Sequence, residues 1–148
     1  MGILNKLFGR ANPSLNKSDG RVKTSGERIT ELTGGANLVD GKQTWELAQD
    51  KKDDIECMKR CCQAELDTME KADEVPAPFY FERVAILSKK LKDYEQEVFY
   101  CELYINTVNK FYVKHGTSKY ADVRKGPTYK AITKRLPKAK AMLVKISP

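Results

Sequence analysis

The chain has 148 residues, 41% hydrophobic and 32% charged, with 27 basic and 20 acidic side chains for a formal net charge of +7. That is one domain's length with a single modest core, and no apolar run approaches the roughly 18 to 20 residues of a membrane-spanning helix. The 4 cysteines are too sparse for a disulfide scaffold and there is no apolar signal core, so a soluble cytoplasmic protein is the expectation.

Residues 1–10 carry Ile3, Leu4, Leu7 and Phe8 on one face of a two-turn amphipathic helix. Such a segment suits weak contact with a membrane surface or a partner, and equally suits packing on the body. Myristoylation at Gly2 is not expected, because Lys6 stands where that motif needs Ser or Thr. From residue 11 to 43 the text is punctuated by Asn12-Pro13, Ser18-Asp19-Gly20, Ser25-Gly26, Gly34-Gly35 and Asp40-Gly41. This reads as a flexible, largely disordered linker with at most one helical turn around residues 27–32. Thr33-Gly34-Gly35 lacks the Gly-Lys-Ser/Thr ending of a phosphate-cradling loop.

Residues 44–148 form the expected helical domain. Thr44 is a plausible N-cap for a first long helix whose stripe is Ile55, Met58, Cys62, Leu66 and Met69. Pro76 and Pro78 end it, and Pro78 opens a second helix carrying Tyr80, Val84, Leu87 and Leu91. Asp93 caps a third helix, with Gln96 reaching back in a capping box. That helix is apolar over a wide arc, through Tyr94, Val98, Cys101, Ile105, Val108 and Tyr112 with Tyr100, Tyr104 and Phe111 beside them. Such a helix is packed on two sides, at the centre of the fold or partly in a homo-oligomer. Gly116 ends it, and Pro127 starts a last helix with the stripe Tyr129, Ile132, Leu136, Ala139, Leu143 and Ile146, which Pro137 should kink or divide near Arg135. The fold class is all-α, about four helices in a small bundle, with no strand pattern.

Charge is distributed unevenly along this frame. Residues 31–109 hold 10 basic and 17 acidic side chains, whereas residues 110–148 hold 11 basic and 1 acidic, Asp122. Lys130, Lys134 and Lys138 step by four along the last helix, with Arg135 beside them and Arg124 and Lys125 just before it. These six residues are the candidate polyanion-binding set, and Tyr120 and Tyr129 supply rings that stack on bases. A basic helix equally meets an acidic protein or the chain's own acidic body.

Catalytic chemistry is not expected. His115, the sole histidine, sits near a helix end where a cation caps favourably, and Asp53-Asp54 and Asp73-Glu74 read as solvated charge. Cys57, Cys61, Cys62 and Cys101 fall on or beside apolar stripes without the short Cys-x-x-Cys spacing of zinc sites, so buried thiols are expected and no metal or cofactor is implied.

Within residues 79–109, Phe81, Val84, Ala85, Tyr94 and Cys101 and the turn Lys92-Asp93-Tyr94-Glu95 follow the pattern of one ~34-residue helix-turn-helix unit. In this the segment resembles a single tetratricopeptide repeat. It departs from that family at Ser88, Glu97, Tyr104 and Asn109, and no second copy is visible. The resemblance implies a protein-interaction module whose inner face would be Phe79, Glu82, Ile86, Lys89 and Lys90. Glu82 and Ile86 stand where carboxylate-clamping members carry Lys and Asn, so that activity does not carry over. A non-catalytic adaptor or regulator binding another protein is the first expectation, and a sequence-tolerant nucleic-acid binder the second.

Overall fold

Six α-helices and one short hairpin make up residues 15–148, which the computed structural model describes. In chain order these are α1 (Ser25–Thr33), β1 (Leu38–Val39), β2 (Lys42–Gln43), α2 (Thr44–Leu47), α3 (Ile55–Ala72), α4 (Pro78–Lys90), α5 (Tyr94–His115) and α6 (Pro127–Ile146). A 3-10 turn, Val123–Lys125, precedes α6. The amphipathic stripe of Ile3, Leu4, Leu7 and Phe8 lies outside the described residues.

The all-α class holds, and the helix ends follow local chemistry. Asp54 accepts from the Cys57 N–H at 3.0 Å to start α3, and Asp93 accepts from the Gln96 N–H at 3.1 Å to start α5. Pro78 and Pro127 occupy the first turns of α4 and α6, where the missing N–H costs no helical bond. Gly116 closes α5 at φ 69° and ψ −173°, a conformation that only glycine holds without strain.

The helices pack in sequence order, α3 on α4, α4 on α5 and α5 on α6, while α6 also reaches back to α4. Met58, Cys61 and Cys62 of α3, Phe81 and Val84 of α4, Tyr104 and Val108 of α5, and Ile132 of α6 lie at the centre with at most 2% exposure. Most of the wide apolar arc of α5 is therefore covered by elements of the same chain, while Tyr94, Tyr100 and Ile105 stay half-buried. The Tyr104 ring lies 4.8 Å from Phe81, worth about 1 kcal/mol beyond area burial, and its hydroxyl donates to the Pro76 carbonyl at 2.7 Å. One side chain thus ties the middle of the bundle to the turn between α3 and α4.

The structure departs from the sequence expectations in several places. Residues 15–43 are built, not a flexible linker: Asn16 bridges Val22, and α1 and β1 pack on α3. Thr24 and Glu27 form a capping box, and Asp40-Gly41, at φ 52° and 76°, make the two-residue turn of the hairpin. Both are recognisable sequence signals, outweighed in the reading by the density of glycines. A polar network holds this region, with Thr33 Oγ1 donating to Asn37 Oδ1 at 3.0 Å and Asn37 Nδ2 to Thr30 Oγ1 at 3.0 Å.

The first long helix is also split. Residues 44–47 form a separate turn of helix, and residues 48–54 break it before Asp54 caps α3. Thr44 is not the N-cap; its hydroxyl donates to Glu65 Oε2 at 2.9 Å. Gln96 does not reach back to its cap, because Ser88 Oγ accepts from its Nε2 at 2.8 Å. Pro137 does not divide α6: it lies on the exposed side, and buried Ile132 and Ala139 hold the helix on either side. Leu91, expected in a stripe, is 67% exposed at the C-cap of α4.

Glu65 joins three elements, since its Oε1 also accepts from the Ala77 N–H at 2.7 Å, at the N-cap of α4. Burial raises its carboxyl above the ordinary glutamate value, against the two hydrogen bonds. The folded state then holds the proton more tightly than the unfolded chain. Stability from this group is fully present below the unfolded pKa and is lost as pH rises through the folded one. Glu65→Gln keeps an acceptor for Ala77 and removes the titration, so its Tm relative to the parent rises between about pH 4 and about pH 7 in thermal melts. Tyr104→Phe leaves the Pro76 carbonyl without its donor, and urea unfolding should show a loss of about 1–2 kcal/mol.

Candidate functional site

Helix α6 has two faces by geometry alone. At ~100° per residue, Tyr129, Ile132, Leu136 and Ala139 turn inward while Lys130, Lys134 and Lys138 share the opposite side. Ile132 is fully buried, Ala139 is 2% exposed, and the three lysines are exposed.

Arg135 lies between these faces, and its partner defines the site. Glu97, one turn into α5, is 2% exposed, and Arg135 Nη1 donates to Glu97 Oε2 at 2.8 Å. A carboxylate removed from water at this depth needs a cation, and Arg135 meets it from the facing helix. The Arg135 Nε–H is buried without an acceptor among the described residues, and the side chain keeps 23% exposure.

Beside this pair, where the end of α4 meets α5 and α6, lies a concavity of about 280 Å³. Lys89, Lys134, Arg135 and Lys138 line it, and Glu97 is its one acid among the described residues. The wall between them is formed by Ala131, Ala139 and Met142.

The sequence candidates divide accordingly. Lys89 of the expected inner face joins Lys134, Arg135 and Lys138 of the expected polyanion set at one concavity. Lys125 and Lys130 are exposed outside its lining, as is Lys90. Phe79 packs against the core, with its ring 5.3 Å from Tyr80, and Glu82 and Ile86 are half-buried. Arg124 belongs to internal structure: it bonds Asp122 at 2.9 and 3.0 Å and Asn109 at 3.1 Å, and lies 4.6 Å over the Tyr112 ring. Its guanidinium holds the Asp122 carboxyl below the usual range. Tyr129 is likewise turned inward, 6.3 Å from Tyr104.

The residues the sequence reading left out are Glu97, Ala131, Ala139 as a wall, and Met142. Glu97 had a legible signal: with Cys101, Tyr104 and Val108 it steps by 4, 3 and 4 in the apolar stripe of α5. A carboxylate in such a stripe requires a cation on the covering helix.

Elsewhere, Cys57, Cys61, Cys62 and Cys101 are buried free thiols. Burial pushes Cys61 and Cys101 up to about 12, which keeps them protonated and unreactive. No group of three or more His, Cys, Asp or Glu among the described residues is arranged to hold a metal ion. Asp73 is no simple solvated charge: it adopts the left-handed C-cap of α3, and its Oδ1 lies 3.8 Å from His115 Nε2. Asp54 caps α3, and Asp53 receives Arg83 Nη2 at 2.7 Å. No helix among the described residues is long and apolar enough to cross a membrane.

No protein-family model, curated protein or solved structure matches this chain.

Arg135→Met strands the Glu97 charge and should cost about 3 kcal/mol in urea unfolding, while Glu97→Gln with Arg135→Met together costs less than that single change. Lys134→Ala, on the exposed face, should change stability by less than about 0.5 kcal/mol.

Proposed function

We propose that this chain is a small non-catalytic protein-interaction module, an adaptor or regulator built on a helical hairpin like that of a tetratricopeptide repeat. The supporting observation is the convergence of Lys89 from α4 with Lys134 and Lys138 from α6 around one concavity with an apolar wall. Cations from two helices beside the half-buried Ala131 and Met142 suit a folded or extended partner chain, because they combine charge complementarity with an apolar contact.

Nucleic acid is the second reading, favoured by a separate observation. Lys125, Lys130, Lys134 and Lys138 are exposed, and no ion pair engages them among the described residues. Arg124 is tied to Asp122 and Asn109 and Arg135 gives one donor to Glu97, so four lysines of the six-residue set are without an ion-pair partner among the described residues.

Affinity capture with the tagged chain from its native lysate, divided into nuclease-treated and untreated halves, decides between the two. The interaction-module reading expects the same retained protein in both halves. Capture that vanishes after nuclease supports the nucleic-acid reading instead, and duplex binding by about four lysines would then fall with salt at a log–log slope near −3.6.

A further inference from the structure

The basic concavity has three properties that together specify an occupant. The first is unspent donor capacity. A guanidinium carries five N–H donors; Arg135 gives one to Glu97, its Nε–H is buried without an acceptor among the described residues, and the side chain as a whole stays 23% exposed, so an incoming acceptor meets it through its open part. The second is charge. Lys89, Lys134 and Lys138 line the cavity with this guanidinium, and Glu97, the only acid in the lining among the described residues, is already paired with it. Three cations at the rim with no ion-pair partner among the described residues repel one another, so an entering anion relieves that repulsion as well as making new bonds.

The third property is the wall. Ala131 and Met142 present methyl and thioether groups, with Ala139 buried beside them, and no aromatic ring among the described residues lines the cavity for a base to stack upon. Among the described residues, neither Asn nor Gln lines it to read a base edge. A volume of about 280 Å³ accepts a pair of side chains from an extended segment. An acidic side chain beside an aliphatic one satisfies both the cations and the wall.

We propose that the concavity between α4, α5 and α6 binds an acidic, partly aliphatic peptide segment of a partner protein. A carboxylate of that segment is received by the Arg135 guanidinium among Lys89, Lys134 and Lys138, with a neighbouring aliphatic side chain against Met142. This deepens the interaction-module reading and rests on it. The positions differ from those of the carboxylate clamp described for the tetratricopeptide family, which would fall at Glu82 and Ile86.

The test is fluorescence anisotropy of the full chain with a labelled peptide of alternating Glu and Leu. Two charge-matched double variants are compared, Lys134→Glu with Lys138→Glu inside the concavity, and Lys125→Glu with Lys130→Glu outside it. Circular dichroism checks that both keep their helical content. The proposal expects salt-sensitive binding that the inner variant weakens by roughly tenfold or more and the outer variant by much less. It also expects Met142→Glu to weaken binding, a change that general attraction to a basic surface predicts only in proportion to charge. Equal weakening by the inner and outer pairs overturns it, as does the absence of peptide binding at low salt. Displacement of the peptide by single-stranded DNA of equal charge at lower concentration overturns it in favour of nucleic acid. If the inner variant still captures the same nuclease-resistant protein from lysate, the interaction module stands and this assignment of its contact surface fails.

Discussion

A carboxylate with 2% exposure on α5 has to be met by a positive charge, and Arg135 of α6 meets it at 2.8 Å. The desolvation of such a pair is costly enough that its contribution lies less in net stability than in permitting one arrangement of the helices. A slip of α6 by one residue rotates Arg135 away by ~100° and leaves the Glu97 charge buried without its partner. The same requirement fixes which face of α6 points outward. Lys130, Lys134 and Lys138 are exposed because the stripe from Ile132 to Ala139 must accompany Arg135 inward.

Around that contact the bundle is tied by polar side chains that reach across turns. Tyr104 holds the Pro76 carbonyl, and Glu65 holds both Thr44 and the start of α4. Tyr112 does the same near the other end of α5, donating to the Ala121 carbonyl at 2.6 Å and accepting from the Val123 N–H at 2.9 Å. These bonds bring the ends of each connection back to the core, which shortens the effective freedom of the loops. The connection after α5 then delivers Pro127 to the point from which α6 can lie along both α5 and α4. The concavity is a product of that placement, since Lys89 lies 42 to 53 positions before the α6 residues that line it and meets them only through this fold.

The N-terminal layer shows a different balance. Its two buried hydrophobics nearest the hairpin, Val39 and Leu47, contribute modest apolar area, and much of its order comes from Thr30, Thr33, Asn37 and Gln43 bonding one another. Buried hydroxyls and amides leave no hydrophobic period, so residues 15–43 read as punctuation rather than structure. The capping box at Thr24 and Glu27 and the Asp40-Gly41 turn were the local signs of it.

The amino-acid sequence by itself determined the class and the sequence of the main helices: the 3–4 spacing in α3, α4, α5 and α6, the prolines at 78 and 127, the cap at Asp93 and the stop at Gly116 act within a few residues and need no partner. The exposed lysine face of α6 was legible for the same reason. Only the tertiary structure decided that Arg124 bonds Asp122, that Arg135 gives one of its donors to Glu97, that Lys89 meets Lys134 and Lys138, and that Pro137 leaves its helix undivided. Each of these depends on which residue lies opposite another across an interface. Periodicity orders the residues of one helix around its axis, and carries no information on the register or the partner of the helix that packs against it.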